Sequence, residues 1–324
     1  MRTRALGDLR VWPIGLGAMP LSIEGHPGEA RAMATIHAAL DAGVTLVDTA
    51  DSYHPPGERR GLGEELVARA LASYSGATDD VLIATKGGRG RTPDGDWSVN
   101  ADPGHLKRAA QESANRLGVE SIGLYQLHKP DPAVPYAESL GAIRELLDDG
   151  TIRLAGISNV DTAQIHQARE ILGDRLVSVQ NRYSPAIRDS EAELRLCAEL
   201  GLAFLPWSPL GGISRSSLDG VSEQGADPAF AAFHQVARER GVSPQRVALA
   251  WLLARSPVVV PIPGASRPES VRDSAAAAEL VLEEREKELL GLTGTESPPP
   301  PPDSSAGSVD KERSVADTAG AGDG

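Results

Sequence analysis

With 324 residues, 40% of them hydrophobic and few aromatic, the chain suits one α/β barrel with an aliphatic core as well as it suits two smaller domains. A formal charge of −13 excludes broad nucleic-acid binding, which needs clustered cations. One cysteine, Cys197, leaves no internal disulfide and fits a reducing compartment; with no signal-peptide pattern and no apolar run near the ~20 residues of a membrane span, a cytoplasmic protein working away from membranes is expected.

The first residues read as a hairpin turning at Gly7-Asp8. Strand and helix patterns then alternate: strand 14–18, helix 29–42, strand 44–48, helix 63–73, strand 81–86, helix 103–117, strand 122–127, helix 135–149 and strand 153–158. They continue as helix 162–172, strand 177–180, helix 191–200, strand 203–207, helices 227–240 and 244–254, and a last strand at 258–261. Glycine stop signals end several helices, at Gly43, Gly118 and Gly201. Eight such strands separated by helices predict an α/β fold of the (β/α)8 TIM-barrel type with an N-terminal β-hairpin. A doubly wound sheet would need a glycine-rich phosphate turn after its first strand, and Gly15-Leu-Gly17 runs instead into Ala18-Met19-Pro20.

Two longer excursions, 87–100 and 208–226, interrupt the pattern on the side where strands end, where long loops usually form functional walls. From Ser297 the composition changes to five consecutive prolines followed by Ser, Gly, Ala and charges. Such a stretch buries too little apolar surface to offset its ordering entropy. A barrel domain over residues 1–296 and a disordered tail over 297–324 are expected.

The chemistry gathers at strand ends. Asp48, Tyr53, Lys86 and His128 lie at or just beyond the ends of the runs Val44–Asp48, Val81–Lys86 and Ile122–Leu127. Each run is short, aliphatic or β-branched, and reads as a buried parallel strand. In such architectures catalysis sits where strands give way to loops, so an acid, a phenol, an amine and an imidazole on one rim form an acid–base site that needs a cofactor. Taken singly they have plainer readings: an ion pair for Asp48 and Lys86, a packed aromatic for Tyr53, a core histidine for His128. The seven histidines are scattered and no metal is implied.

The segment Gly43-Val-Thr-Leu-Val-Asp-Thr-Ala-Asp-Ser-Tyr53 resembles the signature of the aldo-keto reductase superfamily. Thr85-Lys86-Gly87 resembles that family's lysine segment, and Leu124-Tyr-Gln-Leu-His128 its histidine strand. Further segments match in order through Gly156–Asn159, Val179–Asn181, Trp207–Leu210 and Ile262–Gly264, most like a bacterial branch that includes pyridoxal reductases. The resemblance implies carbonyl reduction by hydride from NADPH, NADH being the less favoured cofactor, on a small-molecule aldehyde or ketone, with pyridoxal a candidate. It makes Tyr53 the proton donor, Lys86 the cation that lowers the phenol's pKa, Asp48 the partner of Lys86, and His128 a hydrogen-bond donor to the substrate oxygen.

By the same resemblance Ser158, Asn159 and Gln180 bind the nicotinamide carboxamide, and Trp207 stacks on its ring. Ser208 and Leu210 line the pyrophosphate path. Gly264, Ser266, Arg267 and Arg272 form the adenosine phosphate pocket at a helix N-terminus. Relatives carry Arg where this chain has Ser270, and Glu-Asn where it has Asp273-Ser274. They also carry Gly where His54 follows the tyrosine, which leaves His54 facing either the substrate mouth or solvent. Trp97 is a candidate for the substrate wall. Two other readings compete: a non-catalytic NADP(H)-binding regulatory module, and a Schiff-base aldolase with Lys86 as nucleophile. Nothing in the pattern specifies an oligomeric state.

Overall fold

The structure, a computed structural model, describes residues 3–92, 94–211 and 230–292. The tail expected from residue 297 and most of the excursion at 208–226 lie outside the described residues.

Strands β1 (Arg4–Leu6) and β2 (Leu9–Val11) form the antiparallel hairpin, turning at Gly7. Gly7 has φ +62°, and a Cβ there would sit 2.6 Å from Val177 Cγ1, so both conformation and space require glycine. The barrel follows as β3 (Leu16–Gly17), α1 (Glu29–Asp41), β4 (Leu46–Asp48), α2 (Leu62–Ser73) and β5 (Leu82–Gly87). A small antiparallel hairpin, β6 (Arg89–Arg91) and β7 (Trp97–Val99), fills the first excursion. Then come α3 (Pro103–Leu117), β8 (Ile122–Leu127), α4 (Tyr136–Asp148), β9 (Ile152–Ser158), α5 (Thr162–Leu172), β10 (Leu176–Gln180), α6 (Glu191–Leu200) and β11 (Ala203–Phe204). Helices α7 (Ala231–Arg240), α8 (Pro244–Arg255), α9 (Pro268–Ala275) and α10 (Glu284–Leu289) complete the described chain.

Helix starts are set locally. Asp102 accepts from His105 N at the start of α3, Asp161 and Gln164 form a reciprocal capping box on α5, and Ser243 accepts from Arg246 N on α8. Each of these supplies an acceptor to an otherwise orphaned helix N–H.

Among the described residues the parallel sheet runs β11-β10-β9-β8-β5-β4-β3. The expected eighth strand at 258–261 is not a regular strand, although the segment 258–264 occupies its place. Phe204 N donates to Val258 O and Val260 N to Phe204 O on one side, while Gly15 N donates to Pro261 O and Gly17 N to Pro263 O on the other. The prolines explain the irregularity: their missing N–H groups would have faced β3. The barrel closes all the same, and Gly17 lets it do so, because a Cβ there would lie 2.7 Å from Ile262 O. The first and seventh barrel strands are also shorter than expected, at 16–17 and 203–204.

The interior changes character along the barrel. Leu6 and Val11 of the hairpin pack with Leu46, Leu82, Leu124, Leu154, Val177 and Val260, a plug of aliphatic side chains at the strand starts. Two or four residues later on the same strand faces stand Asp48, Lys86, Gln126, His128 and Ser158, since a strand returns to one face every second residue. On β10 this alternation would set Val177 and Gln180 on opposite faces. A pairing irregularity between Leu176 and Ser178 turns both inward.

Candidate active site

Lys86 is buried at the end of β5. Its ammonium donates to Asp48 Oδ2 at 2.6 Å, to Thr49 O at 2.8 Å and to the Tyr53 hydroxyl at 3.2 Å. An ammonium has three N–H groups, and all three are spent. Asp48 is fully engaged as well: its Oδ1 accepts from Gln180 Nε2 at 2.8 Å and from Gln126 Nε2 at 3.2 Å. Burial draws the Lys86 pKa down, yet Asp48 and Tyr53 together outweigh it and hold the ammonium above its ordinary value.

Tyr53 therefore meets a cation on one side of its oxygen. Burial pushes the phenol's pKa up, Lys86 pulls it down, and the net direction is upward from 10. This corrects the expectation of a lowered value: the ammonium acts as anticipated, but desolvation of the phenolate is the larger effect. The His128 ring stands edge-on to Tyr53, with centroids 5.8 Å apart. Burial first, then the cations of Lys86 and Arg89, hold His128 well below its ordinary pKa, so the imidazole is neutral. Its Nδ1 is buried without a hydrogen-bond partner among the described residues.

These groups border one cleft, lined by Gly17, Met19, Asp48, Tyr53, Arg89, Trp97, His128, Ser158, Asn159, Gln180, Trp207, Ser208 and Gly264. Asn159 (φ +59°) and Ser208 (φ +47°) adopt left-handed backbone, rare for residues with a Cβ and often found at functional sites. The bend at Asn159 lets its Nδ2 donate to His128 O at 2.9 Å and to Ser158 Oγ at 3.0 Å. Ser158 Oγ in turn donates to Gln180 O at 2.7 Å. Trp207 is fixed through its backbone N–H to Asn181 O, while its indole Nε1 is buried without a hydrogen-bond partner among the described residues.

Five expected positions lie outside the cleft lining, and one of them, Lys86, is fully buried. Leu210 packs against the main core. Ser266, Arg267 and Arg272 are exposed around the first turns of α9, with Arg267 Nε donating to Ser270 Oγ at 2.8 Å. Neither arginine has a carboxylate partner among the described residues. Asp273 is held by Arg246 and Ser243.

The aldo/keto reductase family model matches residues 13–290. The chain belongs to the aldo/keto reductase family. An uncharacterized oxidoreductase of Schizosaccharomyces pombe is 34% identical over 288 residues, 86% of each chain. Pyridoxine 4-dehydrogenase of Escherichia coli K12 is 33% identical over 293 residues, covering 87% of this chain and 94% of the relative. Among solved structures, an aldo-keto reductase from Klebsiella pneumoniae in complex with NADPH superposes with a TM-score of 0.71 at 28% identity, over 92% of this chain and 96% of that one. This aldo/keto reductase is accordingly an oxidoreductase built on a closed parallel barrel.

Three features of the reductase site escaped the sequence reading. Gln126 binds Asp48, and its position two residues before His128 on one strand face was a usable signal. Arg89 borders the cleft from β6, which no apolar pattern announced. His54 faces neither the mouth nor solvent: it is buried, with Nδ1 2.9 Å from Pro55 O. Trp97 does line the cleft, with the guanidinium groups of Arg89 and Arg91 against its ring at 4.3 and 3.6 Å from the centre.

Proposed function

We propose that this enzyme reduces an aldehyde or ketone to an alcohol with NADPH, Tyr53 serving as proton donor. One observation carries the reading. Lys86 approaches the Tyr53 oxygen as a donor and has no N–H left over, so the phenol's own proton is directed to whatever occupies the cleft.

The cleft suits a nicotinamide. Among the described residues Asn159 Oδ1 and Gln180 Oε1 take no hydrogen bond, and they border the same space as Trp207, which offers acceptors for a carboxamide beside a flat aromatic face. In this reading Ser158 joins them, Ser208 and Leu210 lie along the pyrophosphate, and Gly264, Ser266, Arg267 and Arg272 surround the adenosine phosphates near the start of α9. The exposed guanidinium groups of Arg267 and Arg272, without a carboxylate partner among the described residues, favour the extra phosphate of NADPH over NADH. When bound, NADPH supplies the hydride.

Tyr53 gives its proton to the substrate oxygen as negative charge develops there, and Lys86 steadies the phenolate left behind. Asp48 keeps Lys86 charged and in place. Neutral His128 orients the carbonyl through an N–H hydrogen bond. An amine held protonated by Asp48 is a poor imine-forming nucleophile, which disfavours the aldolase alternative. The buried free thiol of Cys197 suits a reducing cytoplasm.

Loss of NADPH absorbance across a panel of aldehydes that includes pyridoxal tests the proposal. Turnover with at least one carbonyl is expected. Undiminished turnover by Tyr53→Phe would overturn it in favour of a different proton donor.

A further inference from the structure

Arg89 stands in the cleft with no hydrogen-bond or ion-pair partner among the described residues. It lies three residues beyond Lys86, is partly buried, and borders the same space as Tyr53, His128 and Trp97. Its guanidinium lies over the Trp97 ring, 4.3 Å from the centre. Arg91, on the same ring, is held elsewhere by its terminal nitrogens, which donate to Gly95 O and to Glu24 Oε2, both at 2.9 Å. Arg89 makes no side-chain hydrogen bond and no ion pair among the described residues.

A guanidinium remains charged in proteins and carries five N–H donors in a planar fork. Withdrawing it partly from water without acceptors is unfavourable. Burial pulls the Arg89 pKa down, Tyr53 opposes it, and the neighbouring Arg91 adds to the lowering. Contact with the Trp97 ring meanwhile restrains the guanidinium, so less side-chain freedom remains to be lost when a ligand binds. In a chain of net charge −13, this makes the cleft a local cationic site.

We infer that Arg89 selects carbonyl substrates that carry an anionic group, a carboxylate or a phosphate, and pairs with that group while the carbonyl sits at Tyr53 and His128. The inference rests on the proposed carbonyl reduction and narrows its substrate class. Trp97 is then a positioning residue, acting through Arg89.

Paired substrates test it. For wild type, kcat/KM should favour 4-carboxybenzaldehyde over 4-methylbenzaldehyde, or pyridoxal 5′-phosphate over pyridoxal, by about ten- to a hundredfold, the range of a charged hydrogen bond. The first pair reports on carboxylate and the second on phosphate. Arg89→Leu should bring the favoured ratio close to one, chiefly through KM, and Arg89→Lys should retain part of it. Wild-type ratios near one for both pairs would overturn the inference. So would an Arg89→Leu variant that loses charged and uncharged substrates equally, which would place Arg89 with the phenol, or one that weakens NADPH binding, which would place it with the cofactor. Calorimetric titration of the NADP-saturated protein with benzoate and benzamide adds a readout independent of turnover. Tighter benzoate binding that Arg89→Leu abolishes supports the anion site even if no aldehyde is reduced, a result that would defeat the proposed reaction alone.

Discussion

Asp48 Oδ2 lies 2.6 Å from the Lys86 ammonium, with both side chains shut away from water. A buried pair of this kind is costly to break from one side, because the survivor is an uncompensated charge. Lys86→Met should therefore destabilise the protein by about 3–5 kcal/mol. The double variant with Asp48→Asn should lose less than the sum of the two single changes. Urea unfolding of the four proteins checks this.

Tyr53→Phe removes the proton donor and leaves the cleft's shape nearly intact. Carbonyl reduction should fall by about 10²–10⁴-fold, the usual worth of a positioned acid. Quenching of protein fluorescence by NADPH should persist, separating lost chemistry from lost binding.

The pH profile follows from two shifts of opposite direction. His128 is held well below 6.5, so it stays neutral as pH falls through that value; Tyr53 is held above 10, so it keeps its proton as pH rises to that value. kcat/KM should accordingly show no limb centred near 6.5 and should decline on the alkaline side only above 10. An acid limb at 6.5 would mean that His128 is protonated and working in that range.

Asp51 predicts a stability effect away from the chemistry. It is buried, and Arg60 approaches its Oδ2 at 3.4 Å in an orientation unsuited to a hydrogen bond. Burial lifts its pKa from 3.8 to about 7, with Arg60 opposing. A raised carboxyl contributes its full stability below the unfolded value and loses it as pH climbs through the folded one. The stability difference between Asp51→Asn and wild type should shift toward the variant by roughly 4 kcal/mol between pH 4 and pH 8. Chemical denaturation at the two pH values measures it.

Arg267→Ala should lower the preference for NADPH over NADH by about tenfold, through KM, because its exposed guanidinium is the group proposed to meet the extra phosphate. Cofactor titrations of wild type and variant provide the comparison.

The placement of Asp48, Lys86, His128 and Ser158 was readable because strand periodicity sends every second residue to one face, and aliphatic residues at the strand starts identify that face. The hydrogen bond from Gln126 to Asp48 obeyed the same rule and was overlooked only because glutamine is no acid or base. Other features lay beyond such patterns. The side chain of Arg89 comes from a three-residue strand with no alternation, and its direction depends on pairing with the strand of Trp97. The phenol's net shift depends on how burial weighs against one ammonium, which composition does not reveal. The last barrel strand was over-read because Val258–Val260 is apolar, while the prolines beside it forbid a regular ladder.

Those prolines have a mechanical consequence. Gly15 and Gly17 donate across the seam to Pro261 and Pro263, and nothing can be returned from the imino nitrogens. Parting these neighbours sacrifices fewer amide contacts than separating two ordinary staves, so the wall breathes most easily beside Gly264. Deuterium uptake at the amides of Gly15 and Gly17 should outpace that of the equally buried β8–β9 ladder, marking this joint as the barrel's softest line.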